Sequence, residues 1–367
     1  MIGRLVSIRS ATARFVGGAV ASLAIAASAS AQATYPMDEA ELYEAAKKEG
    51  TVVWYESAPL EPMKAIALEF EKKYPGIKVE VLRIVGVQQY QRFMEEVQAG
   101  QHNVDILHIS DQPSMKALIE EGHVADWKVP AHDRIPEEFR LGTHSYANYT
   151  TDNAIIYNVN KVTPEEVAIL EKDWKGVLDP RFKGRFAVTS MKCGACYAGI
   201  HMFLDPELKD QYGEEFLKQV AAQQPAVYSE VLVGLDRVIA GEHDFTYWTW
   251  EGIALTKWQQ GAPIRWLHPK PTPVFGNSWQ AVSNYAPHPN AARLFQNWSM
   301  GEEGVAAIQQ LYGSATVLKD FADTRSVTKE DWYKPVEEPY AVDFERWDSD
   351  YHKDLDLWIN ILKSASR

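Results

Sequence analysis

Hydrophobic positions along the chain switch between two periods. From Asp38 to Lys48 they recur at helical spacing and stop at Gly50, a C-terminal glycine signal. Residues 51–55 (TVVWY) form a short β-rich apolar run, and a turn follows at Ser57-Ala58-Pro59. Met63, Ala67, Phe70 and Tyr74 return to helical spacing, with Glu and Lys between them, until Pro75-Gly76. Residues 77–81 alternate as a strand, Gln89 to Gln98 reads as a helix, Val104 to Ile109 as a strand, and Ser114 to Glu121 as a helix closed by Gly122. Strands alternating with helices at this spacing predict βαβ units and a mostly parallel sheet.

Between about 130 and 150 the pattern breaks into Pro, His, Asn and Thr. A strand is predicted at Ala154–Tyr157, and 174–183 is turn-rich. Arg185–Ser190 is a predicted strand that runs into Lys192-Cys193-Gly194-Ala195-Cys196 and a helix to Phe203. Helices are predicted at 207–224, 229–240, 251–260, 290–300 and 302–311, with strands at 244–248 and 264–266. Residues 274–283 read as loop and strand, and the polar tail from 329 carries a final helix near 350–364. No internal repeat or low-complexity tract interrupts this order.

The first 31 residues are of another kind. Arg4, Arg9 and Arg14 precede an apolar stretch from Phe15 to Ala27, and Ala29-Ser30-Ala31 is a small-x-small cleavage motif. This is the three-part pattern of a secretory signal peptide cut before Gln32. The apolar run is short of the ~20 residues a membrane span needs. With no Cys beside the cut, a lipid anchor is not indicated.

Composition narrows the function classes. The 367 residues carry 37 Lys+Arg against 50 Asp+Glu, a net charge of −13. The three arginines of the leader have no acidic counterpart there, so its loss takes the net charge to −16. A nucleic-acid or anionic-membrane binder would show a basic face. The 12 Trp, 17 Tyr and 13 Phe argue against a disordered chain. The length predicts about two domains, and a core of that size needs no disulfide framework.

Six segments, in this order, resemble the extracellular solute-binding proteins of ABC importers, in the branch of iron(III)-, thiamine- and phosphonate-type binders. They are VVWYESAPLEPMKAIALEFEKKYPGIKVEV (52–81), VDILHIS (104–110), IIYNVNKV (155–162), DWKGVLDPRFKGRFAVTS (173–190), AGEHD (240–244) and APHPNAARLFQNWSMGEEG (286–304). The resemblance covers about residues 40–315. It implies an α/β, two-lobed type II periplasmic-binding fold, with a hinge of crossing strands and a ligand cleft between the lobes. It places lobe 1 at 37–145 and 270–328, lobe 2 at 146–269, and a helical tail at 329–367. It also implies periplasmic localisation, a small-molecule ligand, and a cognate permease and ATPase. A monomer without cofactor or nucleic-acid partner is expected.

Ligands of open α/β sheets bind beyond the carboxyl ends of strands, where helix N-termini point. The candidates follow from that rule. Ser57 and Ala58 follow the first strand, and Asp111 and Gln112 follow the third; turn or cap roles are their rivals. Ser190 and Lys192 open a loop that is often an anion cradle in relatives. Here that loop carries Cys193 and Cys196, for which a local disulfide is the reading preferred over a redox pair or a zinc half-site. Trp248 and Trp250 fall on one face of their strand by period two, with Tyr247 opposite, so at least one set is expected in the core. Tyr157 in the first crossover and Asn277, Ser278 and Trp279 in the second complete the set. Iron-binding relatives carry adjacent tyrosines where counting reaches Gly252 and Ile253 here, and Pro59 stands about where some place a His. Those departures, and scattered histidines, leave no metal site in this reading.

The expected function is therefore capture of a small solute, anionic or aromatic and organic, by a non-catalytic receptor. A ferric or other metal-binding receptor is the alternative within the same class. A secreted enzyme or a thiol-redox protein using Cys193 and Cys196 is the alternative outside it. No G-x-S-x-G elbow, H-E-x-x-H helix or Walker loop supports an enzyme.

Overall fold

The computed structural model describes residues 38–84, 87–110, 112–189 and 194–365. Residues 1–37, Asp111, Ser190, Lys192 and Cys193 lie outside the described residues. No described helix is long and apolar enough to cross a membrane.

The chain opens with α1 (Glu39–Glu49), β1 (Thr51–Glu56), α2 (Leu60–Lys73), β2 (Lys78–Arg83), α3 (Val87–Gln98), β3 (Ile106–Ile109) and α4 (Gln112–Glu120). These match the predicted alternation. Gly50 ends α1 in a left-handed conformation (φ 74°), which a glycine adopts without a Cβ clash. β1 pairs in parallel with β2 on one side and β3 on the other. Every residue of β3 is buried, as expected for a strand covered on both faces.

After the short β4 (Arg140–Leu141), β5 runs for 14 residues, Ser145–Asn158. It begins nine residues before the predicted strand. Its first part pairs antiparallel with β10 (Thr272–Val282), which itself pairs with β3. From Asn153 onward it pairs with β8 (Phe245–Trp250) and with β9 (Ile264–Leu267). β6 (Phe186–Thr189) lies parallel to β8 and to β7 (Ala226–Tyr228). The strand order is β2-β1-β3-β10-β5-β8-β6-β7. Two half-sheets thus share one strand, and the chain returns from the second to the first between β9 and β10.

Helices α5 (Pro164–Lys172), α6 (Gly194–Phe203), α7 (Gly213–Ala222), α8 (Val231–Ile239) and α9 (Glu251–Gln259) belong to the second half. The predicted helix 207–224 shrinks to α7, because residues 205–212 form turns. α5 has no counterpart among the predicted elements, although Thr163-Pro164-Glu165-Glu166 closes a capping box at its start. Helices α10 (Pro289–Ser299) and α11 (Glu302–Leu311) return to the first half, where Trp54, Phe70, Phe295 and Trp298 interlock their rings. The tail adds β11 (Pro339–Ala341) beside β10, then α12 (Phe344–Ala365). Trp358, Ile361 and Leu362 of α12 enter the second-half core with Tyr197, Phe203, Trp248 and Phe245.

Candidate functional site

In the first half, the carboxyl ends of β1 and β3 bring Glu56 and His108 side by side as register partners. Both are fully buried. The His108 Nδ1 meets the Glu56 carboxylate, and Glu56 Oε1 accepts the Ala58 N–H at 2.7 Å. Ser57 Oγ donates to the His108 carbonyl at 2.9 Å. The loop after β1 is therefore held inward by its own strand neighbours, and both Ser57 and Ala58 are buried. Gln112, also buried, is the first residue of α4 just beyond β3.

An aromatic and hydroxyl wall adjoins this pair. Trp54 stacks on the His108 ring, and Tyr149 meets it edge-on, with centroids 6.2 Å apart. Tyr149 Oη and Ser278 Oγ are 2.9 Å apart, and the Tyr312 ring lies 5.1 Å from that of Tyr149. Burial pushes the Tyr149 phenol well above 10. Ser278 reaches it from a left-handed backbone (φ 57°) in β10, and Asn277 is the register partner of Tyr149. Trp279 is fully buried beside Ala147 and Ile109 on the adjoining strands. Positive charge comes from Arg83, exposed at the end of β2, whose Nε donates to the Ala58 carbonyl at 3.0 Å.

In the second half, β8 ends at Trp250 and α9 starts at Glu251. The period-two reading of β8 fails for a local reason. Its register with β5 slips by one residue between Ala154 and Ile156, and Trp248 takes φ 45°. This bulge turns Tyr247 and Trp248 both into the core, with rings 4.5 Å apart. Gly199 of α6 makes room: a Cβ there would stand 3.0 Å from the Trp248 Cβ. Trp250 instead lines a cavity of ≈10 Å³ with Thr150, Asp152, Glu251, Gly252, Ser314 and Arg325.

A buried polar network closes that cavity at the strand crossing. Glu251 Oε1 accepts from Arg325 Nη1 at 2.6 Å, and Asp152 Oδ1 accepts the Glu251 N–H at 3.3 Å. His268 Nε2 lies 3.2 Å from Glu251 Oε2 and 3.6 Å from Asp152 Oδ2. Burial and the Glu251 charge push Asp152 up to about 7. Burial alone would raise Glu251, but Arg325 and His268 override it and hold the carboxyl down at about 2. Burial alone would lower His268; its contact with Glu251 and the Asp152 charge outweigh that and hold it up at about 9.

The described candidates thus divide. Ser57, Ala58, Gln112, Ser278 and Trp279 gather around the ends of β1 and β3, and Trp250 lies at the crossing. Tyr157 is not brought to this place. It stands eight residues beyond Tyr149 on β5, about 26 Å along the strand, beside Phe245 and Arg265. Trp248 belongs to the second-half core. Glu56, His108, Asp152, Glu251, His268 and Arg325 were not among the sequence candidates. For Glu56 and His108 the available signal was a carboxylate at the end of one apolar strand and an imidazole within another (VVWYE, ILHI).

Residues 65–335 match the family model described as bacterial extracellular solute-binding protein. Comparison with curated protein sequences finds no match. The fold is similar to that of iron-bound HitA from Pseudomonas aeruginosa, with TM-score 0.65 and 20% identity over 85% of this chain and 99% of that one. It is similar to AfuA from Actinobacillus pleuropneumoniae, solved with fructose-6-phosphate, at TM-score 0.62 and 18% identity over 86% and 99%. A putative extracellular solute-binding protein from Bordetella parapertussis superimposes with TM-score 0.67 and 16% identity over 86% and 99%. The α/β fold of two half-sheets with crossing strands agrees with the architecture that the sequence resemblance implied, and the matched family is one of transport receptors rather than enzymes. The chain belongs to the bacterial extracellular solute-binding proteins.

Proposed function

We propose that the protein captures a small organic solute bearing an anionic group, in a cleft between the two half-sheets, and delivers it to a permease–ATPase complex. The observation that carries this reading is Arg83. Its guanidinium is exposed at the carboxyl end of β2, beside the Ala58 carbonyl, and Tyr312 is close enough for its charge to act on that phenol. Ser57 and Ala58 are spent inside the β1 loop, so an anion there is met by Arg83 and by the Tyr149, Tyr312 and Ser278 hydroxyls. Trp250 supplies an apolar wall at the crossing. Asp111, Gln112, Ser190, Lys192 and Asn277 remain proposed contacts of the same cleft.

The lobes in this reading divide where β5 changes partners, between Asp152 and Asn153, and again between Leu267 and Thr272. We take the protein to be a periplasmic monomer released from its leader after Ala31. A Cys193–Cys196 disulfide would brace the start of α6, where Cys196 is fully buried; thiol titration with and without reductant tests it.

A metal cargo is the second reading. What favours it is the Glu56, His108, Tyr149 and Tyr312 donor set, in which each side chain touches the next. A melting-temperature screen over organic acids, phosphonates, amines and ferric chelates separates the two. An organic anion that raises Tm in the wild type and not in Arg83→Gln supports the first reading. A rise with ferric chelates alone, with a visible phenolate-to-iron band, supports the second and overturns the first.

A further inference from the structure

We propose that Asp152, Glu251 and His268 form a binding site for one divalent transition-metal ion of the zinc class, set where β5 and the β9–β10 connection cross. One ligating atom from each residue lies within 4.8 Å of the others. Around zinc, N and O ligands at about 2.0–2.2 Å stand roughly 3.2–3.6 Å apart in a tetrahedron. His268 Nε2 is 3.2 Å from Glu251 Oε2 and 3.6 Å from Asp152 Oδ2.

The remaining atoms of these side chains are already engaged, which is how ligands are held in place. His268 Nδ1 lies 3.1 Å from the Lys334 carbonyl, so it carries the hydrogen and Nε2 faces the carboxylates. Glu251 Oε1 is taken by Arg325, and Asp152 Oδ1 by the Glu251 N–H. The inward atoms differ. Glu251 Oε2 and His268 Nε2 are buried facing each other 3.2 Å apart as an ion pair, with no other hydrogen-bond partner, and their side chains are 2% and 3% exposed. A divalent cation between them would take the place of the proton that this buried pair shares.

Three protein ligands leave a fourth position. The adjoining cavity of ≈10 Å³, lined by Asp152, Glu251, Gly252 and Ser314, has space for about one water molecule there. The three ligands come from β5, α9 and the segment after β9, so the ion would pin both crossing segments to the second half. This inference does not depend on the identity of the transported solute.

The test uses the mature protein stripped with EDTA and dialysed, titrated with zinc chloride in the absence of any organic solute. We expect one equivalent to bind and raise Tm, and Glu251→Gln and His268→Gln each to weaken binding at least about tenfold. His352→Gln, at an exposed position of α12, should bind as the wild type does. Crystals grown with zinc should show an anomalous peak between Asp152, Glu251 and His268, a result that needs no variant to fold. Absence of stoichiometric binding, equal affinity in folded Glu251 and His268 variants, or an anomalous peak only elsewhere overturns the proposal.

Discussion

Trp358 of α12 packs edge-on against Trp248 of β8, with ring centroids 5.3 Å apart and planes at 70°. Both rings are fully buried, and the Trp358 Nε1–H donates to the Thr189 carbonyl at 3.3 Å. The tail is therefore part of the second-half core and covers the bulge in β8. Trp358→Ala removes a buried indole and should cost about 3–5 kcal/mol. His352→Ala, on an exposed position of the same helix, should cost less than about 0.5 kcal/mol. Urea unfolding of the two variants checks the contrast; equal midpoints would show that the tail only rests on the surface.

His201 gives the tail interface a pH dependence. It lies in α6 against Tyr197 and Trp347. Burial, then the nearby Arg346, lowers its pKa to about 4, while Asp343, Asp205 and Asp350 act the other way. The unfolded chain takes up this proton near pH 6.5, and the folded one only near 4. Stability is therefore unaffected by His201 above about pH 6.5 and falls as pH drops from there to about 4. The loss is on the order of 3 kcal/mol. His201→Met should flatten that part of the stability–pH curve. An unchanged slope in the variant would assign the acid sensitivity to other groups.

Ser278 carries two opposed effects. Its left-handed backbone costs a non-glycine residue about 1–2 kcal/mol, while its hydroxyl partners the buried Tyr149. Ser278→Ala keeps the strain and leaves the phenol without that partner, so it should cost about 1–3 kcal/mol. Ser278→Gly relieves the strain and should be about 1 kcal/mol more stable than the alanine variant. Thermal melts of the pair decide it, and an alanine variant at least as stable as the glycine one would refute the backbone account.

Much of the fold was legible because local signals agree with tertiary ones. Met63, Phe70 and Tyr74 mark the buried stripe of α2, and Gly50 and Gly122 stand just past α1 and α4. The apolar run at 104–109 holds a strand buried on both faces. β5 was less legible because its crossing part carries Asn148, Thr151 and Asn153, polar side chains that are buried inside the fold. Their pattern reads as loop until the partners from β10 and β8 are known. The orientation of Trp248 was hidden by a one-residue bulge, which no alternation rule anticipates. The site was legible by position rather than by residue. The strand end at Ser57 and the crossover position Ser278 were found, but Asp152, Glu251, His268 and Arg325 meet only after two crossovers. Their sequence spacing holds no trace of that meeting.

The charge on Arg83 offers a further check on the ligand class. Arg83→Glu reverses the sign beside Ala58 without touching the buried core, since the side chain is exposed. If the solute is anionic, its affinity should fall by more than tenfold, about 1.4 kcal/mol or more, while the unfolding midpoint stays nearly constant. Isothermal titration with the strongest hit of the solute screen supplies the number. Equal affinity in both proteins would remove Arg83 from the site.

In the proposed function a solute is held between two half-sheets joined by crossing strands. Small-angle X-ray scattering, recorded with and without the best solute at saturating concentration, tests it most directly. Closure about β5 and the β9–β10 connection should lower the radius of gyration on binding, and Trp250 at the crossing should change its fluorescence in parallel. A solute that binds tightly while both signals stay constant would contradict capture between the halves.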